Sequence, residues 1–127
     1  MTDPQFLIDT NIAIYVLNDA ASPAALRLAT KDVGSVAISA IAYAEVMRGI
    51  PSSEIEALAS ARNLFELVIV QPFDAAAALA YARLPFRRGS FDRLIAAHAL
   101  ALGLTLVTNN EGDFGDIPGL RVENWAA

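Results

Sequence analysis

Apolar residues fall into two rhythms along this chain. Short continuous runs alternate with stretches in which apolar positions recur every three or four residues. Phe6-Leu7-Ile8, Val36-Ala37-Ile38, Leu67 to Val70 and Leu104 to Val107 are runs of the kind that fill buried strands. Leu67-Val68-Ile69-Val70 is the clearest of them by β-branched content. Leu120 to Glu123 is expected to add a last, edge strand. The intervening stretches read as helices. Ile12 to Leu17 forms a short one, stopped near Asn18. Ser22 caps the next, with Pro23 at its first position, and it runs to about Lys31. Ser39 caps a helix to Arg48 that Gly49 and Pro51 stop. Ser53 and Glu56 have capping-box spacing for a helix to about Leu64. Asp74 caps the alanine-rich stretch Ala75 to Arg83. Pro85 to Ser90 is a loop, and Asp92 opens a helix that Gly103 ends after Leu102. Asp113-Phe114 sits in a short turn or helix. Strands alternating with helices, several of them continuously apolar, predict an α/β fold with a mainly parallel sheet covered on both faces. The 127 residues show no repeat and no linker, so a single domain spanning 1–127 is expected.

Composition sharpens this picture. Hydrophobic residues make up 55% and charged residues 18%, a balance that excludes a disordered chain. It fits either an alanine-rich core or an apolar surface that needs a partner. There is no cysteine, which removes disulfides, thiolate catalysis and Cys-based zinc sites. No apolar run reaches the ~18 residues of a membrane helix; Leu94 to Val107 is broken by His98, Gly103 and Thr105. Met1-Thr2-Asp3-Pro4 lacks the basic start of a signal peptide, so a cytoplasmic location is expected. The net charge of −5 argues against holding nucleic acid by charge alone, but not against an enzyme that acts on it briefly.

Ligands in open parallel sheets bind beyond the carboxyl ends of the strands. Asp9, Thr10 and Asn11 follow the first strand. Thr108, Asn109 and Asn110 follow the fourth, with Asp113 beyond, and Glu45 lies on the helix after the second. Each acid also has a purely structural reading. Asp9 would cap a helix, Asp92 would suit a helix dipole, Glu45 would face water, and Asp113 would serve a turn. If they meet, they repel one another and raise each other's pKa. A divalent cation offsets that repulsion. With oxygen ligands alone it would be a hard ion, Mg²⁺ or Mn²⁺, suited to phosphodiester hydrolysis.

Four blocks in order resemble the PIN-domain nucleases, and most nearly their VapC toxin branch. They are Leu7-Ile8-Asp9-Thr10-Asn11; Ile38-Ser39-Ala40 through Glu45 to Gly49; Phe91-Asp92-Arg93-Leu94-Ile95-Ala96-Ala97-His98-Ala99-Leu100; and Leu106-Val107-Thr108-Asn109-Asn110, with Asp113-Phe114 and Pro118-Gly119-Leu120 to Asn124-Trp125. The resemblance implies a three-layer α/β/α sandwich and a toxic endoribonuclease using Mg²⁺ or Mn²⁺. It implies Asp9 and Asp92 as the main metal ligands, and Glu45 binding directly or through water. Asp113 completes the acidic set, a role that Asn110 is placed to share. Thr10, Asn11, Ser39 and Thr108 would orient the carboxylates. It further implies an RNA substrate, a cognate VapB-like antitoxin and a homodimer. Tyr43, Ile50, Leu58, Leu64 and Phe65 are the interface candidates.

The segment between Asp74 and Asp92 is short beside many members of that family, which bears on substrate choice. Arg87, Arg88 and Arg93 are candidates for phosphate contacts; Arg48 is a candidate to pair with an acidic neighbour. His98 is the only histidine. It lies six positions past Asp92, off that residue's helical face, and reads as a packed, hydrogen-bonded residue. Three rival readings are weaker. A haloacid-type phosphatase needs a second aspartate where Asn11 stands, and the only lysine is Lys31. A nucleotide-binding module needs a glycine-rich loop after a strand. The third, a catalytically inactive PIN-like interaction module, sits poorly with four retained acids.

Overall fold

The computed structural model describes residues 3–87 and 90–126. Its centre is a five-stranded, all-parallel sheet in the order β3-β2-β1-β4-β5. The strands are β1 (Phe6–Ile8), β2 (Val36–Ser39), β3 (Ile69–Gln71), β4 (Thr105–Val107) and β5 (Val122–Glu123). Leu7 stands beside Ala37 on one side and Leu106 on the other. Leu7, Ile8, Ile38, Leu106 and Val107 are fully buried, as unbroken apolar runs in a sheet covered on both faces should be.

Helices α1 (Thr10–Asn18), α2 (Pro23–Ala29), α3 (Ala40–Arg48) and α4 (Ile55–Leu67) connect β1 to β2 and β2 to β3. The chain then crosses back through α5 (Ala75–Ala82) and α6 (Phe91–Leu102) to β4. Right-handed crossovers put helices that step in opposite directions on opposite faces. Accordingly α1 packs on α2, α3 and α4, and α5 packs on α6, while α3 also meets α6. The expected three-layer sandwich results. Strand order reverses between β1 and β4, so the crevice at a topological switch point lies beyond their carboxyl ends.

Local caps follow the side chains. Ser22, Ser39 and Asp74 each accept a backbone N–H from the first turn of the helix they precede. Several boundaries differ from expectation. Helix α4 starts after Glu54 with no side-chain cap, so the Ser53–Glu56 capping box does not form. It continues to Leu67 because Ala61, Leu64 and Val68 keep a helical spacing of buried positions. Strand β3 accordingly occupies Ile69–Gln71 rather than 67–70. Ser90, not Asp92, caps α6, and Asp92 sits in its first turn. Gly103 ends α6 at a φ of +70°, where a side chain would be strained. Leu64 belongs to the core, which removes it from the expected interface set. Tyr43 and Phe65 are half-buried in edge-to-face contact at 4.9 Å, and Ile50 and Leu58 are half-buried. Among the described residues no helix is long and apolar enough to cross a membrane.

Candidate active site

Asp9 leaves β1 at its carboxyl end and becomes the cap of α1. Its backbone N–H donates to the Val107 carbonyl of β4 at 2.9 Å, and its Oδ1 accepts from the Ile12 N–H at 2.9 Å. The Thr108 hydroxyl, itself fully buried, also bonds the Asp9 carboxylate. Asp9 therefore both caps α1 and stands at the carboxyl end of β1. The carboxyl is 6% exposed. Burial pushes its pKa above the ordinary carboxylate value; the bonds from Thr108 and Ile12 oppose this, and the charges of Asp92 and Glu45 add to it.

The other acids come from three separate elements. Glu45 lies on α3, where the Thr10 hydroxyl donates to its Oε1 at 2.7 Å. Asp92 projects from the first turn of α6. Partial burial, then the charge of Asp113, push its pKa up. Asp113 lies on the 3₁₀ turn Glu111–Phe114, and the Asn110 carboxamide donates to its Oδ2. Asn110 in turn donates its backbone N–H to Thr108 Oγ1 at 3.1 Å. Asp9 thus senses Asp92 and Glu45, and Asp92 senses Asp113, so the four acids share one electrostatic field at the switch point.

Other expected residues stand elsewhere. Among the described residues, Ser39 makes no hydrogen bond to a carboxylate. Its hydroxyl lies 2.8 Å from His98 Nδ1 and accepts from the Ile41 N–H, so the end of β2 has placed it on the packing of α6. Asn11 is exposed, with no side-chain hydrogen bond among the described residues. His98 is buried, edge-on to Phe73 at 5.3 Å, and bonded to the Pro72 carbonyl. Burial pushes its pKa down against the opposing pull of Asp74 and that carbonyl, which keeps the ring neutral. It is the packed, hydrogen-bonded histidine expected.

Arg93 corrects a further expectation. Its side chain is buried, and Nη2 donates to both oxygens of Asp116 at 2.8 and 3.0 Å and to the Asp113 carbonyl at 3.3 Å. A guanidinium locked inside in this way is not free to meet a phosphate. Asp116 went unnoticed in the sequence because its partner lies 23 positions away and no motif joins them. Arg87 is exposed and lies 3.7 Å from Asp116; Arg88 falls outside the described residues. Arg48 is exposed, with no ion pair among the described residues.

Among the described residues, no three acidic or histidine side chains close into a ready-made ion cage. The chemistry of the donor set nevertheless suits a hard cation. It consists of oxygen atoms alone, and its two core members are held above their ordinary pKa first by burial and then by neighbouring carboxylates.

A parallel α/β domain with an acidic crevice at its switch point defines a class, and comparison with known proteins agrees. The PIN domain family model matches residues 6–120. The chain is 33% identical to the tRNA(fMet)-specific endonuclease VapC of Shigella flexneri, across 96% of this chain and 98% of that protein. It is 36% identical to Ribonuclease VapC2 of Rickettsia felis, across 94% and 97%. Among solved structures it resembles VapBC2 from Rickettsia felis bound to a DNA fragment from their promoter, with a TM-score of 0.83 and 29% identity over 94% of this chain and 98% of that one. DNA-bound VapBC from Salmonella typhimurium matches with a TM-score of 0.83 and 28% identity over 96% and 98%. The chain belongs to the PIN-domain family, in its VapC branch.

Proposed function

We propose that this chain is the toxin of a toxin–antitoxin pair, a metal-dependent endoribonuclease that hydrolyses RNA phosphodiester bonds and is restrained by a VapB-like antitoxin. The observation that carries the reading is the convergence of buried Asp9 with Asp92, Glu45 and Asp113 at the strand ends: burial first, then neighbouring carboxylates, raises Asp9 and Asp92, with no side-chain cation of the protein among the causes. Likeness to VapC ribonucleases and to VapBC complexes supports the activity and the partner. Asp9 and Asp92 would hold Mg²⁺ or Mn²⁺, with Glu45 and Asp113 completing the acidic set. When bound, such an ion supplies Lewis acidity toward the phosphodiester and raises the acidity of water.

The chain's own residues orient and exclude. Thr108 and the Ile12 N–H fix the Asp9 carboxylate, while Thr10 fixes Glu45 and Asn110 fixes Asp113. Neutral His98 is committed to Ser39 and Pro72 and takes no part as a base. Arg87, and Arg88 beside it in sequence, are left as phosphate contacts. Homodimerisation through the half-buried Tyr43, Ile50, Leu58 and Phe65 belongs to the same reading.

The test is incubation of the purified chain with total RNA and synthetic hairpins in Mg²⁺ or Mn²⁺, beside EDTA and an Asp9→Asn control. Cuts at few sites, absent from both controls, are expected. That no ion cage is assembled among the described residues favours one second reading, an inactive PIN-like interaction module. Absence of both cleavage and Mn²⁺ binding would establish that reading instead.

A further inference from the structure

Helix α6 carries Asp92 in its first turn. Beyond Arg93, its buried face consists of Ile95, Ala96, Ala97, His98 and Ala99. Alanines let a helix approach closely, but they offer few projecting side chains to interlock with a neighbour. Packing alone therefore fixes the position of such a helix along the sheet only loosely.

His98 interrupts this smooth face. It is 1% exposed and Ser39 is fully buried, so their polar atoms need partners inside the protein. They find them in each other and in the backbone. Ser39 Oγ lies 2.8 Å from Nδ1, and the Pro72 carbonyl also bonds the ring. A carbonyl only accepts. The neutral ring therefore gives its single N–H to Pro72 and leaves Nδ1 to accept the Ser39 proton. Phe73 meets the ring edge-to-face at 5.3 Å. A leucine would fill similar space without needing partners. What the imidazole adds is direction, because hydrogen bonds weaken steeply when misaligned.

These bonds lie at the level of the acid cluster. Ser39 is the last residue of β2, and Pro72 follows the last of β3. Ile8 stands beside Ile38 in the parallel pair, so Ser39 ends β2 at the height where Asp9 leaves β1. Ser39 also caps α3, its hydroxyl accepting from the Ile41 N–H, and Glu45 lies six residues further along that helix. Asp92 lies six residues back from His98 along α6, about 9 Å by helical rise. One ring thus ties together the two helices whose acids Asp9 senses.

We propose that His98 is a positioning residue, whose bonds to Ser39 and Pro72 set the height of α6 and the start of α3, and with them the places of Asp92 and Glu45 about Asp9. This rests on the nuclease reading, in which those acids are cation ligands. The experiment compares the full-length wild type with three variants. His98→Leu keeps bulk without polar atoms, His98→Gln keeps a donor and an acceptor, and Ser39→Ala removes the bond from the other side. Mn²⁺ binding is followed by calorimetry without RNA, and cleavage of a synthetic RNA hairpin is followed at saturating Mn²⁺. Removing a residue that bonds a metal ligand directly costs roughly 10- to 100-fold in affinity. His98 acts one step further away, so His98→Leu is expected to weaken Mn²⁺ about fivefold and Ser39→Ala about threefold, while His98→Gln stays within about twofold of wild type. The kcat of His98→Leu falls about tenfold with the KM for the hairpin unchanged, because sub-ångström misplacement of ligands acts on the chemical step. Thermal melting confirms folding, and if His98→Leu does not fold, Ser39→Ala and His98→Gln carry the test. Wild-type Mn²⁺ affinity and kcat in folded His98→Leu and Ser39→Ala, whatever their melting temperatures, would overturn the proposal and leave the nuclease reading standing. So would a raised KM with unchanged kcat, or His98→Gln falling as far as His98→Leu. Mn²⁺ affinity that depends on His98, without cleavage by wild type, would retain the positioning and remove the nuclease reading. A wild type that binds no Mn²⁺ would overturn both.

Discussion

Asp9 and Asp116 are carboxylates with opposite environments. Asp116 receives the buried Arg93 guanidinium and the exposed Arg87, and these hold its carboxyl below the ordinary range. Asp9 is deeply buried, and that burial first, then the charges of Asp92 and Glu45, pushes its carboxyl up. One acid has been given a cation by its own chain. The other has been placed among further acids and given only neutral donors, from Thr108 and Ile12. Burying unpaired charge is costly, so a region that keeps it is unusual for a merely structural acid. The contrast separates an acid that has a cation from its own chain from one that, on the proposed reading, would take an ion from outside.

The strongest break of this contrast is Asp9→Asn. Cleavage should fall by a factor on the order of 10³ or more, as when one member of a set acting as a unit is lost. The metal-free variant should melt no lower than wild type, because repulsion with Asp92 and Glu45 is relieved. A sharp drop in melting temperature would show that Asp9 is chiefly a structural cap. Asp116→Asn should do the opposite. It leaves the buried Arg93 guanidinium without its solvent-facing counter-charge, and an under-satisfied buried donor is destabilising. Urea denaturation should show a clear loss for Asp116→Asn and little change for Arg87→Ala, whose contact with Asp116 is exposed. Equal losses would mean that burial of Arg93 is not what matters. Within the acid cluster, Thr10→Val removes the donor that orients Glu45 and should slow cleavage about tenfold. Single-turnover rates equal to wild type would place Glu45 outside the rate-limiting geometry.

The two regions also differ in how far the sequence discloses them. Asp9 follows an apolar run and Thr108 follows another. Parallel pairing of those runs brings their carboxyl ends together, so half of the site follows from strand-end logic. Glu45, Asp92 and Asp113 came through family likeness, since helical spacing says nothing about which helix crosses the crevice. The Arg93–Asp116 pair was illegible. Arg93 looks like any basic residue in a first helical turn, and only the docking of the 3₁₀ segment delivers Asp116 to it. Ser39 was misjudged for a related reason. It caps α3 as its position requires, but its remaining hydrogen bond goes to His98, 59 residues away. The strand expected at 67–70 shows the same limit at the level of elements. Leu67 and Val68 suit either state, and the buried spacing Ala61, Leu64, Val68 decided for helix until the sheet took over at Ile69.

The smallest effect is the most specific, because the two environments predict opposite pH slopes in metal-free protein. Asp9 has a folded pKa above its ordinary 3.8. Its favourable contribution is complete below that value and is lost as pH rises through the raised one. Asp116 has a folded pKa below 3.8; its contribution is present above that value and is lost as pH falls through the lowered one. Urea unfolding in EDTA across the acidic range should therefore show Asp9→Asn gaining on wild type as pH rises. Over the same range Asp116→Asn should lose least at the acid end and most near neutrality. Difference curves of the same sign would mean that both carboxylates are held alike, and the contrast between the two regions would fail. Mn²⁺ adds a further discrimination. An ion beside Asp9 supplies the missing positive charge and should erase the Asp9→Asn advantage, while leaving the Asp116→Asn curve as it was, since that carboxylate already has its cation.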